Sequence, residues 1–198
     1  MESVVYQTLE KTLSPVANER VPAEVELKRF EQQQPEYCLA LASIAAAQEC
    51  ALELRQTALV VLKGYVNRHW NLAVESYEEG PIPSPDVSLR WVSWATITMG
   101  ARLVKAAVRE RVFGLLSSDE PKLRLAAVVS NIAKYDWPDE WPGLFDALLL
   151  LLRQGSPKQV HAAIRVYAEW IRPNMTDAHV SHLLGLLGEL RRLVVSPE

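Results

Sequence analysis

What this chain holds little of narrows its reading first. Its only cysteines, Cys38 and Cys50, both lie in Ala/Leu-rich helical sequence. Two such residues do not make a disulfide framework, and they read as small apolar filler in a reducing compartment. Net charge is scarce as well: 24 acidic against 21 basic side chains leave -3. That is no electrostatic footprint for nucleic acid, although a mildly acidic surface suits basic partners. Long apolar runs are missing. Leu148 to Leu152 is the greasiest stretch and Arg153 ends it, far short of the roughly 20 residues that span a bilayer. The start, Met1-Glu-Ser-Val-Val-Tyr-Gln, lacks the basic region and apolar core of a signal peptide. The chain therefore reads as soluble, nuclear or cytoplasmic, and not inserted in a membrane.

Catalytic signatures are absent too. There is no Gly-rich phosphate loop, no nucleophile elbow and no Cys/His nucleophile pair. Asp139 and Glu140 are adjacent carboxylates, but they read as a solvated cap in a turn. His179 and His182 share one helix face near Asp177, yet a zinc site takes three or four convergent ligands. The expectation is a non-enzyme with no catalytic residue, no metal and no cofactor.

What is present is helix. Hydrophobic residues make up 49% and charged residues 23%, as in an ordinary globular protein. A first helix spans residues 2–13. At the break Ser14 can cap and Pro15 can occupy the first position of a second helix, which runs to about Gln33 with a kink near Pro22. A third runs from Glu36 to about Glu49 and a fourth from about Leu52 to Trp70. In the fourth, Leu59, Leu62, Val66 and Trp70 fall on one face at helical spacing. Three prolines at 81, 83 and 85 make residues 76–86 a loop. Helical periodicity returns at Val104 and again from Leu125 to about Tyr135. It continues through Leu144–Leu152, Val160–Ile171 and Leu183–Val194.

These segments amount to about nine helices in antiparallel pairs, with no convincing strand. Arg-x-x-Ala recurs at Arg20, Arg55, Arg124 and Arg165, early in the second helix of each pair, at intervals of 35, 69 and 41 residues. The alanine permits close helix approach, and the arginine can reach acceptors in the neighbouring repeat. The expected fold is all-α, a HEAT-type α-α superhelix.

Two segments carry the most information. Asp136-Trp137-Pro138-Asp139-Glu140-Trp141-Pro142 joins two helices through a turn with two Trp-Pro pairs. Each indole offers a large apolar area, and each proline fixes φ and removes a donor. Trp137, Pro138, Trp141 and Pro142 therefore read as structural, with the indoles filling a wedge between repeats. The other segment is the Arg55–Trp70 helix, which ends on Trp70 as a packing residue.

Together these residues resemble the N-terminal domain of the importin-beta superfamily of nuclear transport receptors, and within it the importin-nine branch. Residues 14–24 look like its first B helix, Arg55 to Trp70 like its second, and Ile132 to Phe145 like the third-to-fourth repeat junction. Residues 160–166 look like the helix after that. The resemblance covers most of residues 1–172 and leaves 173–198 as the start of a further helix. It implies a receptor for basic cargo such as histones or ribosomal proteins, passing nucleoporins and controlled by the GTP form of Ran, shuttling between cytoplasm and nucleus. It also implies that Lys63, Asn67 and Arg68, on the polar side of the second B helix, face Ran. Such receptors are several times longer than this chain, which reads as an N-terminal portion. Residues 87–103 depart from the family pattern. Two readings stand side by side there: translated intron, with Val-Ser at 87–88 and 92–93 as in-frame donor codons, and a lineage-specific loop or strand-like insertion. A HEAT or armadillo scaffold, such as a coat adaptor or exportin-like protein, is the alternative to the import receptor.

Overall fold

The computed structural model describes residues 1–71, 78, 94–117, 125–171, 175 and 177–195. Among these, nine α-helices and one 3-10 turn form the fold, with no strand. In order they are α1 (Glu2–Thr12), α2 (Ala17–Gln33), α3 (Tyr37–Ala46), α4 (Leu52–His69), α5 (Trp94–Gly114), the 3-10 turn (Leu115–Ser117), α6 (Leu125–Asp136), α7 (Leu144–Gln154), α8 (Pro157–Ile171) and α9 (Asp177–Val195). The all-α, HEAT-type helix-pair architecture is thus present. None of the described helices is long and apolar enough to cross a membrane. The chain forms two compact units, Met1–Gly114 and Leu115–Glu198.

In the first unit α3 is the hub, in contact with α1, α2, α4 and α5. Its sequence explains this position. Alanines at 40, 42 and 45 alternate with Leu41 and Ile44, so it is apolar all round and all of these are buried. The small residues also let neighbouring helices approach closely. α1 pairs with α2, and α3 with α4. The buried Arg55 guanidinium donates from Nε to the Ala45 carbonyl at 2.9 Å, satisfying an end carbonyl of α3. Arg20 likewise reaches back to the Ser14 carbonyl, at 3.5 Å. Both arginines thus reach an acceptor within their own helix pair. Arg165 stands in mid-helix, exposed, and pairs with Glu169. Arg124 lies outside the described residues.

In the second unit α7 packs on α8 and α9, and α6 on α8. Leu144, Phe145, Leu148 and Leu152 are buried at helical spacing along α7. Tyr167 of α8 donates its hydroxyl to the Phe145 carbonyl at 3.0 Å. From α9, Arg192 Nη2 donates to the Leu152 carbonyl at 2.9 Å, closing the C-terminal end of α7.

Several boundaries differ from the sequence reading. α2 begins at Ala17, two residues after Pro15, because Ser14 Oγ accepts from Val16 N at 3.2 Å and donates to Glu19 at 2.6 Å, holding an extra turn outside the helix. α2 then runs through Pro22 without a break. α3 stops at Ala46, where Ala47 turns extended and Cys50 N bonds back to the Ala47 carbonyl. Residues 94–103 form the first half of α5, so the strand-like reading fails there. Within this half of the helix Ala101 is buried. Residues 87–93 lie outside the described residues, as does all of the 76–86 loop except Glu78. α9 starts at Asp177, a turn and a half before its first expected apolar position.

Candidate functional site

The polar side of α4 is the site to which the sequence points. Helical periodicity buries Leu62, Tyr65, Val66, His69 and the following Trp70, and turns Lys63 and Asn67 out to solvent. Val60 joins them on the exposed side, 62% accessible. Arg68 is half-buried and does not project with the other two. Its guanidinium folds back along its own helix toward Gly64, where an added Cβ would come within 3.3 Å of it. It then crosses to α2.

There it meets Glu31, a buried carboxylate. Arg68 Nε donates to Glu31 Oε1 at 2.9 Å, and Arg68 Nη2 joins the same oxygen. His69 brings a third nitrogen to it, with Nε2 at 3.0 Å. The other ring nitrogen, Nδ1, lies 2.8 Å from the Glu78 carbonyl, and Glu78 N in turn donates to the Arg68 carbonyl at 2.8 Å. Lys28, Glu31, Gln32, Arg68, His69 and Glu78 line an open cavity of about 370 Å³.

Electrostatics follow from this geometry. Burial pushes the Glu31 carboxyl up, but the hydrogen bonds from His69 and Arg68 outweigh it and hold the pKa below the ordinary value. Burial pushes the His69 imidazolium down, and the bonds to Glu31 and to the Glu78 carbonyl more than reverse it, raising the pKa. Below this, Trp70 is fully buried, and Lys105 of α5 donates to its carbonyl at 2.6 Å. Cys38 is a free, buried thiol whose pKa burial pushes up to about 12, so it is inert filler.

Sequence reasoning missed Glu31. The signal was available: Ala23, Leu27 and Glu31 are spaced by four on the buried stripe of α2. An acid on an apolar stripe needs a partner.

The second predicted element, the Trp-Pro turn, is closed by the Asp136 carbonyl, which accepts from Glu140 N at 2.7 Å and Trp141 N at 2.8 Å. Trp137 is 8% exposed. Its ring centroid lies 5.1 Å from Trp170, 6.1 Å from Phe145 and 4.6 Å from His179, stacked on the last. His182 sits edge-on at 5.7 Å. Trp141 is half-buried, while Pro138, Asp139, Glu140 and Pro142 are exposed. The two histidines of α9 thus serve as rings in an aromatic cluster. Among the described residues, no group of three or more His, Cys, Asp or Glu is placed to hold a metal ion.

Comparison with known proteins fits this anatomy. Residues 23–88 match the importin-beta N-terminal domain, a stretch that takes in most of α2 and all of α3 and α4. Importin subunit beta-5 of Schizosaccharomyces pombe is 30% identical over 180 residues, 89% of this chain and 16% of that protein. Exportin-2 of Oreochromis niloticus is 26% identical over 159 residues, 79% of this chain and 14% of the relative. Importin-9 of Drosophila melanogaster is 26% identical over 172 residues, 86% and 15%. The chain therefore spans about a sixth of the length of the curated relatives it matches. The fold is that of importin beta, whose crystal structure superposes with a TM-score of 0.67 at 22% identity, covering 94% of this chain and 21% of that one. These matches relate the chain to the N-terminal region of the importin-beta superfamily, whose members are transport receptors and not enzymes.

Proposed function

We propose that this chain, as an N-terminal region of the importin-beta superfamily, belongs to an import receptor of the importin-nine type that binds Ran in its GTP form. The whole receptor would carry basic proteins such as histones or ribosomal proteins past nucleoporins, shuttling between cytoplasm and nucleus. The observation that carries the reading is the family match over residues 23–88, because that stretch contains the α4 face. Lys63 and Asn67 stand out from α4, with Lys28 and Gln32 of α2 exposed at the rim of the shared cavity. Arg68 completes the set from its tie to Glu31. Such a receptor works by linkage: Ran-GTP and cargo favour different helix packings, so each lowers the other's affinity.

Calorimetry with Ran loaded with GTP or GDP tests the reading. The chain should prefer the GTP form, and K63E with N67A should weaken that binding about tenfold, or about 1.4 kcal/mol. Equal affinity for both nucleotide states, or no binding, would count against it and favour a plain helical scaffold.

The likeness to Exportin-2 supports a second reading, in which Ran-GTP and cargo bind together. The sign of the coupling separates the two. In the longer receptor Ran-GTP lowers cargo affinity if it imports and raises it if it exports.

A further inference from the structure

The Glu31 cluster contains a proton that the hydrogen-bond geometry demands. His69 Nδ1 lies 2.8 Å from the Glu78 carbonyl. A carbonyl oxygen only accepts, so Nδ1 carries a hydrogen. His69 Nε2 lies 3.0 Å from Glu31 Oε1. That oxygen already accepts two Arg68 N–H groups, which is the environment of an ionised carboxylate. Oε1 therefore accepts here too, and Nε2 carries the second hydrogen. Both contacts hold together only in the imidazolium form. In the neutral ring that keeps Nδ1–H, the Nε2 lone pair would point at the lone pairs of Oε1.

We propose that Glu31 is a positioning residue, and that Glu31, Arg68 and His69 form a protonation-dependent clamp that fixes the polar side of α4 against α2. Loss of one His69 proton leaves either Nε2 facing the lone pairs of Glu31 Oε1 or Nδ1 facing those of the Glu78 carbonyl, so one attraction in the buried cluster becomes a repulsion. The cluster then loosens, and with it the anchor that holds Arg68 back from solvent. The clamp stands on its own geometry. Its consequence for a partner rests on the Ran reading above: Ran-GTP affinity should depend on the His69 proton.

Among the described residues, the groups facing His69 come from α2, α3, α4, α5 and Glu78. From α2 they are Glu31 itself, with Lys28 and Gln32 at the cavity rim. From α4 they are Arg68 and the Tyr65 ring, whose centroid is 4.9 Å away. Tyr37 of α3 stands behind Tyr65 at 6.1 Å. Lys105 of α5 is engaged with the Trp70 carbonyl and lies 5.2 Å from the Trp70 ring. Glu78 contributes its carbonyl to the ring and also lines the cavity. Among the described residues Glu31 is the carboxylate in direct contact with the imidazole, so it sets the direction. The raised His69 pKa and lowered Glu31 pKa agree with this.

The test uses the full chain. Histidine ring resonances are followed by NMR against pH, together with the exchange rate of the Arg68 Nε proton. His69 should titrate above the ordinary imidazole value of about 6.5, and E31Q, which keeps the side-chain shape, should lower it by about one unit or more. Arg68 Nε exchange should be slow below that midpoint and should speed up by about tenfold beyond the usual base dependence above it. H69Q, which keeps a donor but cannot titrate, should abolish that step. A His69 midpoint at or below the ordinary value, or one that E31Q leaves unmoved, would overturn the clamp. Ran-GTP affinity measured on both sides of the midpoint gives the second arm. It should fall severalfold with rising pH in the wild type and stay flat in H69Q. A titrating clamp with equal pH profiles in the two proteins overturns the link to Ran alone. Absence of Ran binding at every pH overturns that link and the functional reading, while the NMR arm still decides the clamp.

Discussion

His69 and His179 are equally buried, each 3% exposed, and their surroundings push them in opposite directions. His69 closes the charged cluster between α2 and α4, where a carboxylate and a carbonyl accept from its two nitrogens and its pKa rises. His179 lies stacked on Trp137 and edge-on to Trp170 in the second unit, where burial and then the nearby His182 lower its pKa. The same side chain, removed from water to the same extent, thus becomes an ion in one unit and an aromatic plate in the other. Burial pushes both rings toward the neutral form, and at His69 the acceptors that come with it reverse the direction. The two sites also differ in what they offer a partner. The first leaves Lys63 and Asn67 exposed on α4, and Lys28 and Gln32 exposed at a polar cavity. The second spends its aromatic groups inward.

The contrast can be broken from either side. Trp137→Ala should have the largest effect, a loss of about 3–5 kcal/mol as for other large core truncations, with Ran binding spared. Unchanged melting with lost Ran binding would instead make Trp137 a contact residue. Glu31→Ala comes next, at about 2 kcal/mol in the first unit, since it strands a buried imidazolium while Arg68 can turn to solvent. Denaturant titration reads both. The pH dependence is sharper still as a comparison. His69 has a raised folded pKa, so its contribution is complete below the ordinary value near 6.5 and is lost as pH rises through the folded pKa. His179 has a lowered one, so its contribution is complete above that value and is lost as pH falls through the folded pKa. Hydrogen exchange resolved by unit should therefore show the first unit losing stability as pH rises above about 6.5 and the second losing it as pH falls below about 6.5, and slopes of the same sign would dissolve the contrast. Tyr167→Phe removes one hydroxyl bond to the Phe145 carbonyl and should destabilise the second unit by about 1 kcal/mol. Lys63→Glu should leave stability within about 0.5 kcal/mol, because the side chain is exposed.

Much of the first layer of structure was legible in the sequence. The ends of α4, α6 and α7 follow from apolar periodicity bounded by Trp70, the Trp-Pro turn and Gly155, because period and breaker act over a few residues. The burial of Leu59, Leu62, Val66 and Trp70 follows from the same local rule. What was not legible depends on partners distant in the chain. Glu31 meets Arg68 and His69 from 37 and 38 residues away, and neither spacing leaves a local trace. The spacing of His179 and His182 was visible, but the rings they stack on belong to other elements. Residues 87–103 read as a departure because two tryptophans and a run of β-branched residues stand where the family passes almost directly from loop to helix, and from Trp94 on they are helix. Arg55 was visible as a repeated arginine, and its acceptor at Ala45, on the other helix of its own pair, was not.

Partner binding is proposed for α2 and α4, and structural packing for the surroundings of Trp137. Hydrogen–deuterium exchange with and without Ran-GTP tests that division most directly. Added Ran-GTP should slow exchange in α2 and α4 and leave α7, α8 and α9 unchanged. Protection centred on α7–α9, or protection nowhere, would contradict it.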